Sequence, residues 1–290
     1  MKTMKLKRIL QLASTAGFVL PLLPAVVSGA DLSLLSAGSS GSINGAFFTN
    51  SDPRSTGSGV IDSFVRISSN NAFEQGYNAD ARPVMPDVNT SGTFTRDLQL
   101  GSVPIVVNPT GAPAGSYYEF LLDINQKGSE PYLTLTSLMF YTKPTPLSSA
   151  ATLADLTGAP ASTLRWNMDA GSDSRIQLNY NLGTGSGSGD LYSYIPVSAF
   201  SGVDATHYLY LYSAFGPEPS GTGTYYENND GYEEWAVRRT STPPPSVPEG
   251  GSSLALLGVG LIGVEAARRR LSRGSLRPAG RLAAAPPAAA

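Results

Sequence analysis

The stretch Arg175–Leu182 reads RIQLNYNL, and every second side chain in it is apolar. The apolar positions are Ile176, Leu178, Tyr180 and Leu182, and the polar positions between them are Arg175, Gln177, Asn179 and Asn181. Because successive side chains of a strand point to opposite faces, this period of two predicts a half-buried strand with one apolar face.

The same period recurs along the middle of the chain. Tyr117–Ile124 (YYEFLLDI) and His207–Ser213 (HYLYLYS) alternate clearly, and less regular runs lie at Gly59–Ser68, Thr93–Leu100, Val103–Asn108, Tyr132–Tyr141, Leu191–Val197 and Tyr232–Val237. Clusters of Gly, Pro, Asn and Ser separate these runs, and only Ser149–Leu156 suggests a short helix. Many short strands joined by such turns predict an all-β fold, an antiparallel β-sandwich or jelly roll, over residues 31–239.

Composition narrows the class of protein. The chain has no cysteine and a single histidine, His207, so disulfides, thiol chemistry and His-rich metal sites are excluded. Between Asp31 and Pro245 there are about 20 acidic and about 10 basic side chains. An acidic, Gly- and Ser-rich middle argues against binding nucleic acid and is typical of a solvated extracellular module.

The first 30 residues have the layout of a secretory signal peptide. A charged region, Lys2–Arg8, precedes an apolar region, Ile9–Val27, and small residues follow at Ser28–Ala30. We expect export through a secretion translocon and cleavage by signal peptidase after Ala30, which would leave Asp31 as the mature N-terminus. The alternative is an uncleaved N-terminal anchor.

The other end of the chain carries three features in a fixed order. After a Pro-rich linker at residues 240–247, the motif Pro248, Glu249, Gly250, Gly251 precedes an apolar run, Leu254–Val264. A basic cluster then follows at Arg268, Arg269 and Arg270. A short apolar helix stopped by arginines predicts a membrane segment whose arginine end is cytoplasmic.

The apolar helix is short for a membrane span. Residues 253–267 would rise about 22 Å at 1.5 Å per residue, against a hydrocarbon core of about 30 Å. Gly258, Gly260 and Gly263 lower its helix propensity further. A segment of this kind suits a transient stay in the membrane before an enzyme releases the protein. The alternative is an ordinary weak C-terminal membrane anchor.

Residues 248–273 resemble the PEP-CTERM sorting signal of bacteria that make extracellular polysaccharide, in its Gly-Gly variant. That family joins a Pro-Glu motif, a short Leu/Gly-rich transmembrane helix and an arginine cluster, as Pro248–Glu249, Leu254–Val264 and Arg268–Arg270 do here. The resemblance implies recognition and cleavage by an exosortase, a membrane transpeptidase. The chain departs from the family by continuing past the arginines into an Ala- and Pro-rich tail at 274–290, which we expect to be disordered.

One turn in the middle domain groups several oxygen donors. Glu227, Asn228 and Asp230 are candidate calcium ligands, and Gly231 beside them can take a left-handed backbone conformation. The spacing is not that of an EF-hand loop, and the alternative is an Asn-Asp-Gly hairpin turn before the last strand. Apart from this candidate calcium site, we expect no metal and no cofactor.

Tyrosines line one face of the predicted strand at His207–Ser213. If Tyr208, Tyr210 and Tyr212 are exposed, they can stack on sugar rings, because each ring offers an apolar face with a polar edge nearby. The alternative is that they form an aromatic half of the β core. A carbohydrate-binding module is therefore the second function to consider.

The carboxylates show no catalytic pair in the sequence. Glu233 and Glu234 are adjacent on a predicted strand and must point to opposite faces, while Glu119 and Asp123 share a face about 13 Å apart, too far for a glycosidase pair. We therefore expect no enzyme, although a secreted glycan hydrolase built from distant carboxylates is a third alternative.

The combined prediction is an exported, non-enzymatic surface or extracellular-matrix protein of a bacterial cell envelope, associated with exopolysaccharide or biofilm. Its expected partners are the secretion machinery, the membrane through the C-terminal helix, an exosortase-like transpeptidase and exopolysaccharide.

Overall fold

The structure is a computed structural model, and it describes residues 30–51, 61–183, 189–217 and 225–239. The elements in these ranges are, in chain order, β1 (Asp31–Ser33), β2 (Ser40–Ile43), β3 (Ala46–Thr49), β4 (Ile61–Ile67), β5 (Glu74–Tyr77), β6 (Leu98–Gln99), β7 (Ile105–Val107), β8 (Ser116–Asp123), β9 (Tyr132–Lys143), α1 (Leu153–Thr157), β10 (Thr163–Asn167), β11 (Arg175–Asn179), β12 (Leu191–Pro196), β13 (Tyr208–Phe215) and β14 (Glu233–Arg238), with single 3-10 turns at Leu100–Ser102, Tyr180–Leu182 and Val197–Phe200.

The strands form two sheets. Sheet one has the order β1-β11-β9-β13-β5, with β10 also beside β9 and β6 beside β13. Sheet two has the order β2-β3-β12-β8-β14-β4, with β7 also beside β8. Within the described ranges the pairings between these strands are antiparallel except for β1 with β11. The predicted all-β sandwich is thus confirmed.

The core lies between the two sheets. On β8, Tyr118, Phe120 and Leu122 point inward, and the Phe120 ring contacts Phe140 of β9 across the gap, with centroids 4.8 Å apart. Burying each such side chain contributes about 1.5–3 kcal/mol relative to leaving it exposed. Burial of every second side chain of β8 therefore stabilises this strand in the middle of sheet two.

Sheet two is also buried on part of its outer face. Tyr117 and Leu121, which alternate with the inward residues of β8, pack with Phe47, Tyr192 and Tyr194 in a second cluster. The sequence pattern predicts strands with one polar face, and that expectation fails here because other parts of the chain cover this face.

Most predicted strands are confirmed, with altered ends. β11 ends at Asn179, and Tyr180–Leu182 turns into a 3-10 turn instead of continuing the strand. Of the run Thr93–Leu100, only Leu98–Gln99 is a strand. The predicted helix is α1, which begins after Thr152 with a capping box: Asp155 N donates to Thr152 Oγ1, and Thr152 N donates to Asp155 Oδ2.

The predictions for the two ends of the chain lie outside the described residues. They are the signal peptide up to Gly29, the linker at 240–247, the sorting signal at 248–273 with its apolar helix, and the tail at 274–290. Among the described residues, no helix has the length and apolar character that a bilayer span requires.

Candidate functional site

The tyrosines predicted to contact glycan lie on β13, a strand in the middle of sheet one. Tyr210 is 0% exposed and Tyr212 is 5% exposed, and Tyr208 is half-buried against the core. The Tyr210 hydroxyl accepts a hydrogen bond from Leu147 N at 2.9 Å, and burial raises the pKa of Tyr210. The structure therefore does not have the exposed tyrosine face that glycan stacking would need. Tyr210 and Tyr212 instead belong to the β core, which was the alternative, because β13 has neighbours on both edges and packing on both faces.

The residues predicted to bind calcium are split between the interior and the surface. Glu227 and Asp230 are exposed, whereas Asn228 is buried and its Nδ2 donates to Ser69 O, Asn71 O and Glu74 Oε2. The three side chains therefore do not form one ligand shell. In the described part of the chain, no three acidic or histidine side chains converge in a way that would hold a metal ion.

The turn that contains them is not a hairpin. The chain leaves sheet one at the end of β13 and enters sheet two at β14, so residues 225–232 belong to a crossover between the sheets. The predicted left-handed conformation of Gly231 is confirmed, with φ of +72°. A Cβ atom added there would lie 2.2 Å from Asn125 Nδ2, so the crossover passes too close to Asn125 for any other residue.

A buried polar network joins the two sheets beside this crossover. Asn228 Nδ2 donates to Glu74 Oε2 at 3.0 Å, and Gln126 Nε2 donates to Glu233 Oε1 at 2.9 Å. The carboxyls of Glu74 and Glu233 also lie within hydrogen-bonding reach of each other, and both are fully buried. Their remaining oxygens, Glu74 Oε1 and Glu233 Oε2, have no other hydrogen-bond partner.

This pair must share a proton, because two buried carboxylates cannot form a hydrogen bond without one. Burial raises the pKa of Glu233 well above its ordinary value, and the neighbouring Glu74 carboxylate raises it further. Burial also raises the pKa of Glu74. The pair is a closed, cross-sheet contact with no surface of its own.

A second carboxyl pair lies at the end of β8. Asp190, just before β12, accepts a hydrogen bond from Ile124 N at 2.9 Å and is bonded to Asp123. Burial raises the pKa of Asp190 to about 8 and that of Asp123 to about 6. Glu234 lies opposite Asp123 in the ladder and pairs with Arg66. The carboxyls of Asp123 and Asp190 are in direct contact, with no gap between them that could hold a sugar ring.

An open cleft lies on the surface next to the crossover. It measures about 310 Å³ and is lined by Ser129, Glu130, Pro131, Tyr132, Tyr226, Glu227 and Asn229. The rings of Tyr132 and Tyr226 contact each other with centroids 5.0 Å apart and planes tilted by 48°. Tyr132 is 39% exposed, so part of this pair is accessible from solvent. We call it the tyrosine cleft.

The backbone of the cleft is held rigidly. Tyr226 N donates to Thr134 Oγ1 at 2.7 Å, and Thr134 N donates to Tyr226 O at 3.1 Å, which fixes the crossover against β9. Asn229 Oδ1 accepts from Lys127 N, and its Nδ2 donates to Glu130 O, both at 2.8 Å. These bonds tie the crossover to the loop between β8 and β9, so the two halves of the cleft are fixed relative to each other.

The rim of the cleft is acidic. Glu130 and Glu227 are both exposed, and among the described ion pairs neither carboxylate has a cationic partner. Two tyrosines and two exposed glutamates, neither glutamate in a described ion pair, thus line one opening. Such a surface combines an apolar platform with a negative potential.

Sequence reasoning missed this cleft. Tyr226 and Glu227 stand in a segment that drew attention for its Asn and Asp residues, while Tyr132 opens a strand far away in the chain. Only the hydrogen bonds between Tyr226 and Thr134 bring them together. Comparison of the chain with family models, with curated proteins and with solved structures found no match.

Proposed function

We propose that this chain is an exported, non-enzymatic surface or extracellular-matrix protein that an exosortase-like transpeptidase processes through its C-terminal signal. Signal peptidase would remove residues 1–30, and the transpeptidase would cut near Pro248–Glu249. The domain at 31–239 would then remain as the working part in the cell envelope or in an exopolysaccharide matrix.

The observation that carries the proposal is the order of the three C-terminal features. Pro248–Glu249, the apolar run Leu254–Val264 and the arginines Arg268–Arg270 follow one another behind an export signal. In this proposal the Pro-Glu motif is recognised, the apolar helix lodges in the membrane and the arginines stop its transfer.

The fold is compatible with both cuts. β14, the last described strand, lies between β8 and β4 inside sheet two and ends at Arg238, before the Pro-rich linker. At the other end, β1 begins at Asp31, whose carboxylate pairs with Arg175. Cleavage after Ala30 removes two hydrogen bonds, from Arg175 N to Ala30 O and from Ala30 N to Ser174 Oγ, and leaves β1 whole.

Two buried carboxyl pairs lack the separation that a glycosidase uses. Glycosidases need two carboxyls separated by about 5–9.5 Å around the scissile bond. Glu74 with Glu233, and Asp123 with Asp190, are instead in hydrogen-bonded contact, and the first pair has no exposed surface.

Intact mass of the protein from membrane and extracellular fractions tests the proposal. We expect a mature chain that starts at Asp31 and ends near Pro248–Glu249. The matched variants are Glu249→Ala, which should leave unprocessed protein in the membrane fraction, and a deletion of Arg268–Arg270, which removes the stop and should change both the processing and the location of the chain. A mature protein that retains Leu254–Arg270 would instead indicate a simple anchor and would overturn exosortase processing.

A further inference from the structure

We infer that the tyrosine cleft binds a sugar ring that carries a protonated amino group, as in a partly deacetylated amino-sugar polysaccharide. This inference deepens the proposed association with exopolysaccharide, on which its biological meaning rests. The binding itself is a property of the cleft and can be tested whether or not the chain is sorted as proposed.

The first step concerns the aromatic platform. The exposed part of Tyr132, with Tyr226 beside it, offers aromatic surface of the kind on which the C–H face of a sugar ring stacks. The cleft volume of about 310 Å³ is at the lower end of small-molecule pockets, which run from about 300 to 1,000 Å³. A cleft of this size suits a short stretch of rings and not a large folded partner.

The second step concerns charge. Glu130 and Glu227 line the same opening as the two tyrosines, and in the described chain no cationic side chain forms an ion pair with either. An aromatic face attracts a cation, and nearby carboxylates add to that attraction. The ligand that uses both features is a ring with a positive charge, and an anionic sugar such as a uronic acid is disfavoured.

The third step separates a glycan from a peptide. An extended cationic peptide would bind best by adding a strand to an open sheet edge. At this point the edge of β9 is already occupied, because Thr134 N donates to Tyr226 O and Gly216 N donates to Thr134 O. A ligand must therefore be held by ring stacking and charge, without backbone pairing, which favours a rigid sugar ring.

The fourth step concerns preorganisation. Tyr226 is held by two hydrogen bonds to Thr134, and Asn229 ties the crossover to the β8–β9 loop on both sides. A cleft that is already ordered loses little conformational entropy when a ligand binds. Weak contacts from two rings and two carboxylates are then enough for measurable affinity.

Isothermal titration calorimetry of the full chain in detergent micelles tests the inference. The probes are a β-1,4-linked glucosamine tetramer and cellotetraose, which share one backbone and differ in an amino or hydroxyl group at C2. At a pH where the amines are protonated, we expect the glucosamine tetramer to bind roughly tenfold more tightly than cellotetraose. Equal affinities would overturn the charge requirement, and absence of binding by both would overturn the site.

Matched variants assign any binding to the cleft. Tyr132→Ala should abolish it, Tyr132→Phe should restore it because the ring is kept, and Glu227→Gln should weaken the glucosamine tetramer about two- to fivefold without affecting cellotetraose. The control is Tyr232→Ala, which removes another exposed tyrosine that does not line the cleft. An equal loss in this control would place the binding elsewhere and overturn the assignment.

Two competitors test the ligand class. Tetramethylammonium presents a cation without a ring, and trilysine presents cations on a peptide. We expect neither to displace the glucosamine tetramer at equal concentration. Displacement by tetramethylammonium would show that the cleft binds a cation without a sugar ring. Displacement by trilysine would indicate a peptide site. Either result would overturn the inference. Sorting is tested by intact mass and glycan binding by calorimetry, so failure of one can be told apart from failure of the other.

Discussion

Glu74 on β5 and Glu233 on β14 belong to different sheets, yet their carboxyl groups meet in the buried space between them. Gln126 and Asn228 each donate a hydrogen bond to one member of the pair, so the network spans both sheets and the crossover that joins them. The contact requires one proton, and therefore couples the stability of the sandwich to pH.

Replacing Glu233 by Gln should reduce that dependence. The raised pKa of Glu233 means that, above the unfolded value of about 4.3, the folded state holds a proton that the unfolded state releases. Stability is therefore full below that value and declines as pH rises through the folded pKa. Gln supplies a permanent donor toward Glu74, so Glu233→Gln should gain more than about 1 kcal/mol over the native chain at alkaline pH.

Urea unfolding across a pH series measures this effect. Glu227→Gln is the control for the loss of one carboxyl group, since Glu227 is exposed. The shared-proton description would be contradicted if Glu233→Gln and the native chain lost stability in parallel as pH rises. Glu233→Ala should instead destabilise at every pH, because it removes the hydrogen bond that Gln126 Nε2 donates at 2.9 Å and the buried carboxyl that contacts Glu74.

Asp190→Asn should stabilise the protein at mildly alkaline pH. Burial raises the pKa of Asp190 from 3.8 to about 8, with the Asp123 charge adding to the effect. Stability from this group is present below the unfolded pKa and is lost as pH rises toward 8. The amide keeps an acceptor for Ile124 N and a donor for Asp123, so the variant should gain roughly 1–3 kcal/mol at pH 8.

Thermal unfolding at pH 5 and pH 8 checks this prediction. The exposed Asp173 offers a control for the replacement of one aspartate by asparagine, made by Asp173→Asn. An Asp190→Asn variant that gains nothing at pH 8 relative to pH 5 would show that Asp190 is ionised in the folded protein.

Gly231→Ala should destabilise the crossover by at least about 2 kcal/mol, since it combines a positive φ with a clash. The added Cβ would lie 2.2 Å from Asn125 Nδ2. Gly38→Ala is the matched control, because Gly38 has φ of +79° and a Cβ added there would have no atom within 4 Å. The difference between the two variants in chemical denaturation isolates the clash, and equal losses would mean that Asn125 moves aside freely.

Ser213→Ala should cost about 1–3 kcal/mol, because it leaves a buried donor unpaired. The Trp235 indole N–H on β14 donates to Ser213 Oγ on β13 at 3.0 Å, and both residues are fully buried. Ser193→Ala is the control, since the buried Ser193 hydroxyl has no hydrogen-bond partner. Urea unfolding of the two variants should give a loss for Ser213→Ala and little or no loss for Ser193→Ala.

The fold class was predictable from local pattern. The alternation in Arg175–Leu182 and Tyr117–Ile124 predicts strands, and β11 and β8 lie there. Short or Gly-containing strands such as β2, β3 and β5 were missed, because runs of four residues carry too little periodicity to stand out from loops. The position of α1 was predictable because Leu153 and Leu156 form its apolar pair.

The candidate sites were much less predictable. The sequence left open whether Tyr210 and Tyr212 form an exposed aromatic face or part of the core, and both are buried. The alternation of side chains could not decide between the two, because it does not show which strand has neighbours on both edges and packing on both faces. The sequence suggested Asn228 as a calcium ligand in a turn, but its side-chain amide is buried and donates to Glu74 Oε2. The tyrosine cleft depends on the hydrogen bond from Tyr226 N to Thr134 Oγ1, and no local sequence pattern predicts this contact between distant residues.

By itself, the sequence determined the β class, the separation of the strands by Gly- and Pro-rich turns, and the freedom of Gly231 to take a left-handed conformation, because these depend on the conformational preferences of single residues and their neighbours in the chain. Tertiary structure alone decided which carboxyls meet and which tyrosines see solvent. Glu74 with Glu233, and Tyr132 with Tyr226, are distant in the chain and are brought together by strand order and by the crossover between sheets. Such contacts form only when the whole core is buried, so the free energy that holds them is a property of the assembled sandwich.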